Sequence, residues 1–296
     1  MRISFSKSVT ESLLAKIRSG EMMSRNEKFN LIIQLSIPSI LAQVTTVLMF
    51  YIDAGMVGSL GAEPSAAIGL VEPATWLFFS LVSAVTMGFS VQVAHFIGAN
   101  DFAKARAVMR HGYIFGLCFA LFLLLITFLI GYRLPVWLGG GTDIQHDATV
   151  YFLIFSLIIP FHLIEYMSAA MLKVSGDMRR PSFMAILMCV LDVIFNYFFI
   201  FPTRTVSLFG VEVTMPGLGE GVAGAALGSL LSFVCVALPL AYYAIFRSPI
   251  LAWKQDVERF VWRWQYIWNA MKIGAPMALQ YLLMNGAQLV LSLIHI

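Results

Sequence analysis

The chain has 296 residues, of which 59% are hydrophobic and only 12% charged, with a formal net charge of +3 and a mean hydropathy of +0.83. Soluble domains carry about 25% charged residues, so this composition excludes a soluble globular protein and reads as an all-α integral membrane protein, a polytopic helical bundle. The small positive charge is no sign of nucleic-acid binding, because it follows from how the basic residues divide between the two ends of the bundle.

Residues 1–28 are polar and mixed in charge, without the short apolar core or small-residue cleavage site of a signal peptide. Val9, Leu13 and Ile17 share a helical face behind a capping box of Ser8 and Glu11, which predicts a short amphipathic helix stopped by Gly20. Ser24 with Glu27 forms a second capping box that opens the first long apolar run.

Seven such runs follow, at about 29–56, 68–97, 112–132, 148–172, 182–201, 221–246 and 266–291. Each reaches or exceeds the roughly 20 residues a helix needs to cross a bilayer and lacks the ten-residue alternation of a barrel strand. The segments 1–28, 98–111, 173–181 and 247–265 hold 16 of the 19 Lys and Arg, whereas the segments at the opposite end hold two. This bias predicts a cytoplasmic N-terminus. Cys118, Cys189 and Cys235 lie inside apolar runs and read as packing residues rather than a disulfide or metal framework.

The short connections predict one six-helix lobe over 29–246. Residues 247–265 are charged and Trp-rich, which suits a cytoplasmic connector at the membrane interface. Beyond it the chain echoes its beginning: IQLSIPSILAQVTTVLM around Pro38 and NAMKIGAPMALQYLLMN around Pro276 both place a glutamine four or five residues after a proline. The prolines are 238 residues apart. Parallel repeats of this kind occur in transporters, so 266–290 is expected to be the first helix of a second lobe whose remainder is missing. The last residues, 291–296, read LSLIHI, the in-frame translation of the transposon sequencing-adapter end CTGTCTCTTATACACATC, and are expected to be non-native.

Four carboxylates fall within the runs: Asp53, Glu72, Glu165 and Asp192. A charge in hydrocarbon costs roughly 2.5–3.5 kcal/mol unless it meets a partner or a cavity. Asp192 and Asn196 are four apart and share a helix face, about 16 and 22 Å along their run from Pro181. Asp53 lies near the far end of the first run and Ser229 about 12–15 Å into the sixth, so these four groups can meet in the outer half of the bundle. Two carboxylates at close range cannot easily both ionise in low dielectric. Such a site can take a proton, or hold Na⁺ with amide and hydroxyl oxygens; the same groups can equally serve as interhelical hydrogen-bonding glue.

Glu72, just before Pro73, reads as a solvated end residue or a cavity residue. His162 and Glu165, three apart, are expected to pair, as helix packing or as part of a proton path or substrate wall. His95 is expected to snorkel at the cytoplasmic edge. Gly224 and Gly228 form a small-xxx-small packing pattern.

Four stretches resemble the multidrug and toxic compound extrusion (MATE) family: IPSILAQ with FYIDAGMVGSLG, then HFIGANDFAKAR, then SGDMRRP leading into LDVIFNYFFIF, and GLGEGVAGAALGSLLS. They run in family order across about 30–290. The resemblance implies an antiporter of twelve helices in two lobes, here the first lobe and helix seven, in a bacterial inner membrane. It implies export of organic or cationic drugs coupled to H⁺ or Na⁺, with no enzymatic activity and no cofactor. It places the coupling carboxylate at Asp53, the fifth-helix pair at Asp192 and Asn196, the sixth-helix hydroxyl at Ser229 and the bending proline at Pro38. The acid precedes the amide here, a departure from the commonest order. Gln43, Glu72, His162 and Glu165 are the expected cavity-lining residues. The expected partners are the bilayer, an organic substrate and the missing C-terminal lobe. A lipid-linked oligosaccharide flippase of the same superfamily is the alternative, opposed by the lack of a central Lys or Arg in the first six runs. A lobe acting alone is expected to be inactive in transport. Motifs of a metalloprotease or serine hydrolase are absent from the sequence.

Overall fold

The computed structural model describes residues 12–13, 15–16, 19, 21–208, 211–255 and 260–295. The expected Ser8–Glu11 cap, Val9, Ile17 and Gly20 lie outside these residues, while Leu13 is buried. The second capping box is present: Ser24 Oγ accepts from the Glu27 amide at 3.2 Å and Glu27 Oε2 accepts from the Ser24 amide at 2.9 Å. Lys16 Nζ adds an ion pair to Glu27 Oε1 at 2.6 Å.

From this cap α1 runs Arg25–Gly58, unbroken through Pro38, which removes one backbone donor. Next come α2 (Ala62–Gly98) and α3 (Phe102–Gly131), the latter capped by Asp101 Oδ1, which accepts from the Lys104 amide at 3.1 Å. A single turn, α4 (Leu134–Trp137), leads to α5 (Gln145–Ser156) and α6 (Ile158–Val174). These two form one span interrupted at Leu157, where Pro160 cannot donate to the carbonyl of Ser156. Then follow α7 (Arg179–Ile200), α8 (Gly221–Tyr242) with a wide turn at Tyr243–Arg247, and α9 (Trp264–His295).

Residues 202–218, between the fifth and sixth runs, form an antiparallel hairpin of β1 (Pro202–Leu208) and β2 (Val211–Leu218). Its signal was the alternation of VEVTM, too short to stand out beside the helical runs.

Six helical spans among the described residues are long and apolar enough to cross a membrane: α1, α2, α3, α5 with α6, α7, and α8 with its wide turn. The seventh run forms a 32-residue helix, α9. Pro38 is the fourteenth residue of α1 and Pro276 the thirteenth of α9, so the two echoing segments occupy matching helical positions.

The core lies between α2, α3 and the α5–α6 span, filled by Phe89, Met109, Phe152, Leu163, Met167 and Met171. α7 and α8 meet closely because glycine faces backbone: a Cβ on Gly224 would strike the Phe199 carbonyl, and one on Gly228 would strike Asn196. α9 lies on α2 in the same way, with Gly88 against the Ala270 carbonyl and Gly274 against that of Ala84. Gln92 Nε2 donates to the Tyr266 carbonyl at 3.0 Å and Asn285 Nδ2 to Ser80 Oγ at 2.8 Å along the same seam. The connector before α9 is docked onto α3: Arg106 reaches the Ile250 carbonyl at 3.1 Å, Arg110 that of Trp253 at 3.0 Å, and the Arg263 amide donates to His111 Nε2 at 2.8 Å.

Only Cys189 is buried; Cys118 and Cys235 face outward, so two of the three expected packing cysteines do not pack. His95 is exposed at the end of α2, as its edge position suggests. α1 stands apart from the core: 11% of its apolar window is buried, against 50% for α2.

Gly224→Ala should destabilise the folded protein by about 1–3 kcal/mol, because the added methyl meets backbone that cannot swing aside. Gly55→Ala, where a Cβ meets nothing within 4 Å, should be neutral or stabilising by up to about 1 kcal/mol. Thermal unfolding of the two purified variants in detergent, followed by loss of the monodisperse peak, checks the difference.

Candidate functional site

Three helices bring their polar residues to one place. Asp53 lies five residues before the end of α1. Asp192 and Asn196 stand one turn apart on the inward face of α7, each only 1% exposed. α8 supplies Ser229 and Ser232, three apart. Glycine at position 228 allows Asn196 to sit directly against α8.

The Asn196 amide nitrogen joins the two acids. Nδ2 donates to Asp53 Oδ1 at 3.0 Å and to Asp192 Oδ2 at 3.1 Å. The other Asp192 oxygen accepts from Ser232 Oγ at 3.1 Å. Ser232 is completely buried and also lies 2.8 Å from the Ser229 carbonyl; its single proton serves one of these acceptors at a time. Ser229 borders the same cavity and lies beside the Asp192 carboxyl. Sequence reasoning found Asp53, Asp192, Asn196 and Ser229 but missed Ser232. The available signal was its spacing of three from Ser229, which puts both serines on one face.

Asn196 Oδ1 is buried with no hydrogen-bond donor among the described residues. The oxygens gathered here are two carboxyl groups, an amide oxygen and two hydroxyls. Such hard donors suit a proton or an alkali or alkaline-earth cation, whereas softer transition metals favour sulfur and imidazole. Among the described residues no group of three or more His, Cys, Asp or Glu is arranged to hold a metal ion.

These residues form one wall of a cavity of ≈580 Å³ between α1, α2, the α5–α6 span, α7 and α8. Gln43, Glu72, His162 and Glu165 all line it. Glu72 is both exposed and on the cavity wall, where it accepts from Trp76 Nε1 at 3.2 Å. Pro38 lies within α1 and does not line the cavity.

His162 and Glu165 do not pair, contrary to the expectation from their spacing. The His162 ring instead stacks on Phe79, with centroids 4.5 Å apart and planes at 16°, and meets Tyr166 at 5.6 Å and the edge of Phe233 at 5.8 Å. Both ring nitrogens are buried without a hydrogen-bond partner among the described residues. Stacking fixes the ring plane, so proximity along the helix does not become a hydrogen bond.

Comparison with known proteins agrees with this architecture. The MatE family matches residues 38–198. The probable multidrug resistance protein NorM of Neisseria meningitidis is 25% identical over 264 residues, covering 88% of this chain and 54% of the relative. The multidrug export protein MepA of Staphylococcus saprophyticus is 22% identical, covering 91% of this chain and 56% of its own length. The chain therefore spans about half the length of the curated relatives it matches.

Among solved structures, the outward-facing conformation of a multidrug resistance MATE family transporter of the MOP superfamily aligns with a TM-score of 0.77 at 24% identity, covering 88% of this chain and 54% of that one. A MOP superfamily transporter from Pyrococcus furiosus, described as having a binding pocket of reverse polarity, aligns with the same score, identity and coverage. Both show the same helical membrane fold. The matched family covers more than half of the sequence and includes the stretches bearing Asp53, Asp192 and Asn196, and on that ground the chain belongs to the MATE family.

Proposed function

We propose that this chain forms the cation-binding half of a multidrug antiporter. The observation that carries the reading is the pair of carboxyls, Asp53 and Asp192, held by one Asn196 amide on the wall of a membrane-buried cavity. MATE relatives named as multidrug resistance and multidrug export proteins support transport rather than catalysis.

The mechanism follows from the hydrogen bonds. Asn196 Nδ2 offers its protons to both acids, and Ser232 offers one to Asp192. A proton or Na⁺ arriving at Asp53 changes both the charge between α1 and α7 and the number of donors the carboxyls need. It thereby changes how firmly the outer end of α1 is held. Binding shifts the balance between outward- and inward-open states by the difference in affinity for the two. Pro38, midway along α1, is where we place the accompanying bend, since it lacks the amide that would stiffen that turn. Alternating access needs two walls, so we assign transport to this bundle together with a second lobe beginning at α9. The Lys and Arg bias supports a cytoplasmic N-terminus in a bacterial inner membrane.

The cavity also speaks for cationic cargo. Four carboxylates, Asp53, Glu72, Glu165 and Asp192, border it, and one lysine, Lys173, lies at its basic end. An anionic lipid-linked headgroup, as a flippase would carry, would meet the wrong sign of charge.

Asp53→Asn in the complete transporter should reduce gradient-driven ethidium efflux by about 10–100-fold, the scale of one charge-assisted interaction, while membrane insertion persists. Unchanged efflux at equal expression would remove Asp53 from the coupling site. Ser232→Ala should raise the half-activating ion concentration by about 3–10-fold by depriving Asp192 of a donor of about 0.5–1.5 kcal/mol. Ser232→Thr should restore it. Proteoliposomes given a Na⁺ gradient or a pH gradient one at a time identify the ion; efflux that continues with neither gradient would overturn coupling altogether.

A further inference from the structure

One face of α6 turns toward the cavity and carries His162, Glu165, Tyr166, Ala169 and Lys173, at offsets of three, four, seven and eleven residues. Glu165 makes no hydrogen bond and no ion pair among the described residues. The cation whose field acts on it is Lys173, eight residues away and about 12 Å along the helix, too far for contact. Beside it stands an aromatic wall: the His162 ring flat on Phe79, Phe233 edge-on, and Tyr166. An unpartnered carboxylate at membrane depth is unfavourable unless a counter-charge reaches it. Aromatic faces also attract cations. Together these features fit a ligand with a positive charge on a broad aromatic body.

The paired aspartates occupy a different part of the same cavity. Tyr151, on α5, is within electrostatic reach of Asp53, Asp192 and Glu72. Glu165 lies fourteen residues further along that span, about 21 Å of helical rise, and neither aspartate is among the charges acting on it. The cavity therefore has two carboxylate stations with the Phe79–His162 stack between them.

We propose that Glu165, with His162, Tyr166 and Phe79, forms a substrate subsite for an aromatic organic cation, separate from the carboxyls that take the coupling ion. This assignment rests on the efflux reading above. It means that ion and substrate are held on different acids at the same time, so that they influence one another through the helices rather than by displacement from one carboxylate.

Tetraphenylphosphonium, a permanent cation with four aryl rings, is the probe, with calorimetry on the complete purified transporter. E165Q should weaken its binding by about tenfold or more, as expected for loss of a charged partner. E165D, which keeps the charge, should stay within about threefold of wild type, and Y166L, which removes the exposed aromatic ring beside Glu165, should weaken binding by about 2–30-fold. The change in tryptophan fluorescence on adding the coupling ion provides the second readout. E165Q should keep that response, and D53N should lose it while losing less than about threefold in tetraphenylphosphonium affinity. Wild-type affinity in E165Q, equal weakening by D53N and E165Q, or loss of the ion response in E165Q would overturn the separate subsite. A wild-type protein that responds to the ion but does not bind tetraphenylphosphonium also overturns it and leaves the efflux reading standing. A wild-type protein that does neither removes both.

Discussion

The bundle depends at its centre on one amide. Asn196 Nδ2 is within hydrogen-bonding distance of carboxyl oxygens on two helices, 3.0 Å from Asp53 and 3.1 Å from Asp192. Two carboxylates this close in a medium of low dielectric repel one another, and a single neutral amide offsets only part of that repulsion. The arrangement therefore favours an added cation or proton. Replacing it by apolar packing would remove the group through which the proposed mechanism makes α1 respond to an ion.

That amide is reachable only because of the glycines opposite it. Gly228 leaves room for the Asn196 side chain and Gly224 lets the α8 backbone approach Phe199. Small residues at helix crossings let polar groups meet across the interface in place of lipid. Packing and chemistry thus share one contact: Gly224 sets the distance between α7 and α8, Gly228 admits the amide, and Ser232 completes the shell around Asp192.

Much of this was legible in the sequence because charges in apolar runs are conspicuous. Asp53 and Asp192 announced themselves, and the spacing of four brought Asn196 with them. Ser232 did not, since a serine in a membrane helix commonly satisfies itself on its own backbone, as Ser156 and Ser168 do here. His162 and Glu165 misled for a related reason. Spacing says which side chains can reach one another, but the stack on Phe79, 83 residues away in sequence, decided where the ring points. The hairpin at 202–218 was hidden because two short strands carry little signal beside runs of 20 or more residues.

The two helices that carry the echoing prolines are held very differently. α9 is fastened to α2 by glycine-to-backbone contacts at Gly88 and Gly274, by Gln92 and Asn285, and by a connector whose carbonyls and amide are gripped by Arg106, Arg110 and His111. α1 buries little of its surface, and its polar tie to the bundle at the cavity end runs through Asp53. Segments with few buried contacts open at the lowest free energy. Displacement of α9 would break close backbone packing along the seam with α2, whereas displacement of α1 would break the Asn196 bond to Asp53 and side-chain packing against α7. The span with the smallest buried share is thus the one tied through Asp53, and in the proposed mechanism a charge change there would act where packing holds the bundle least.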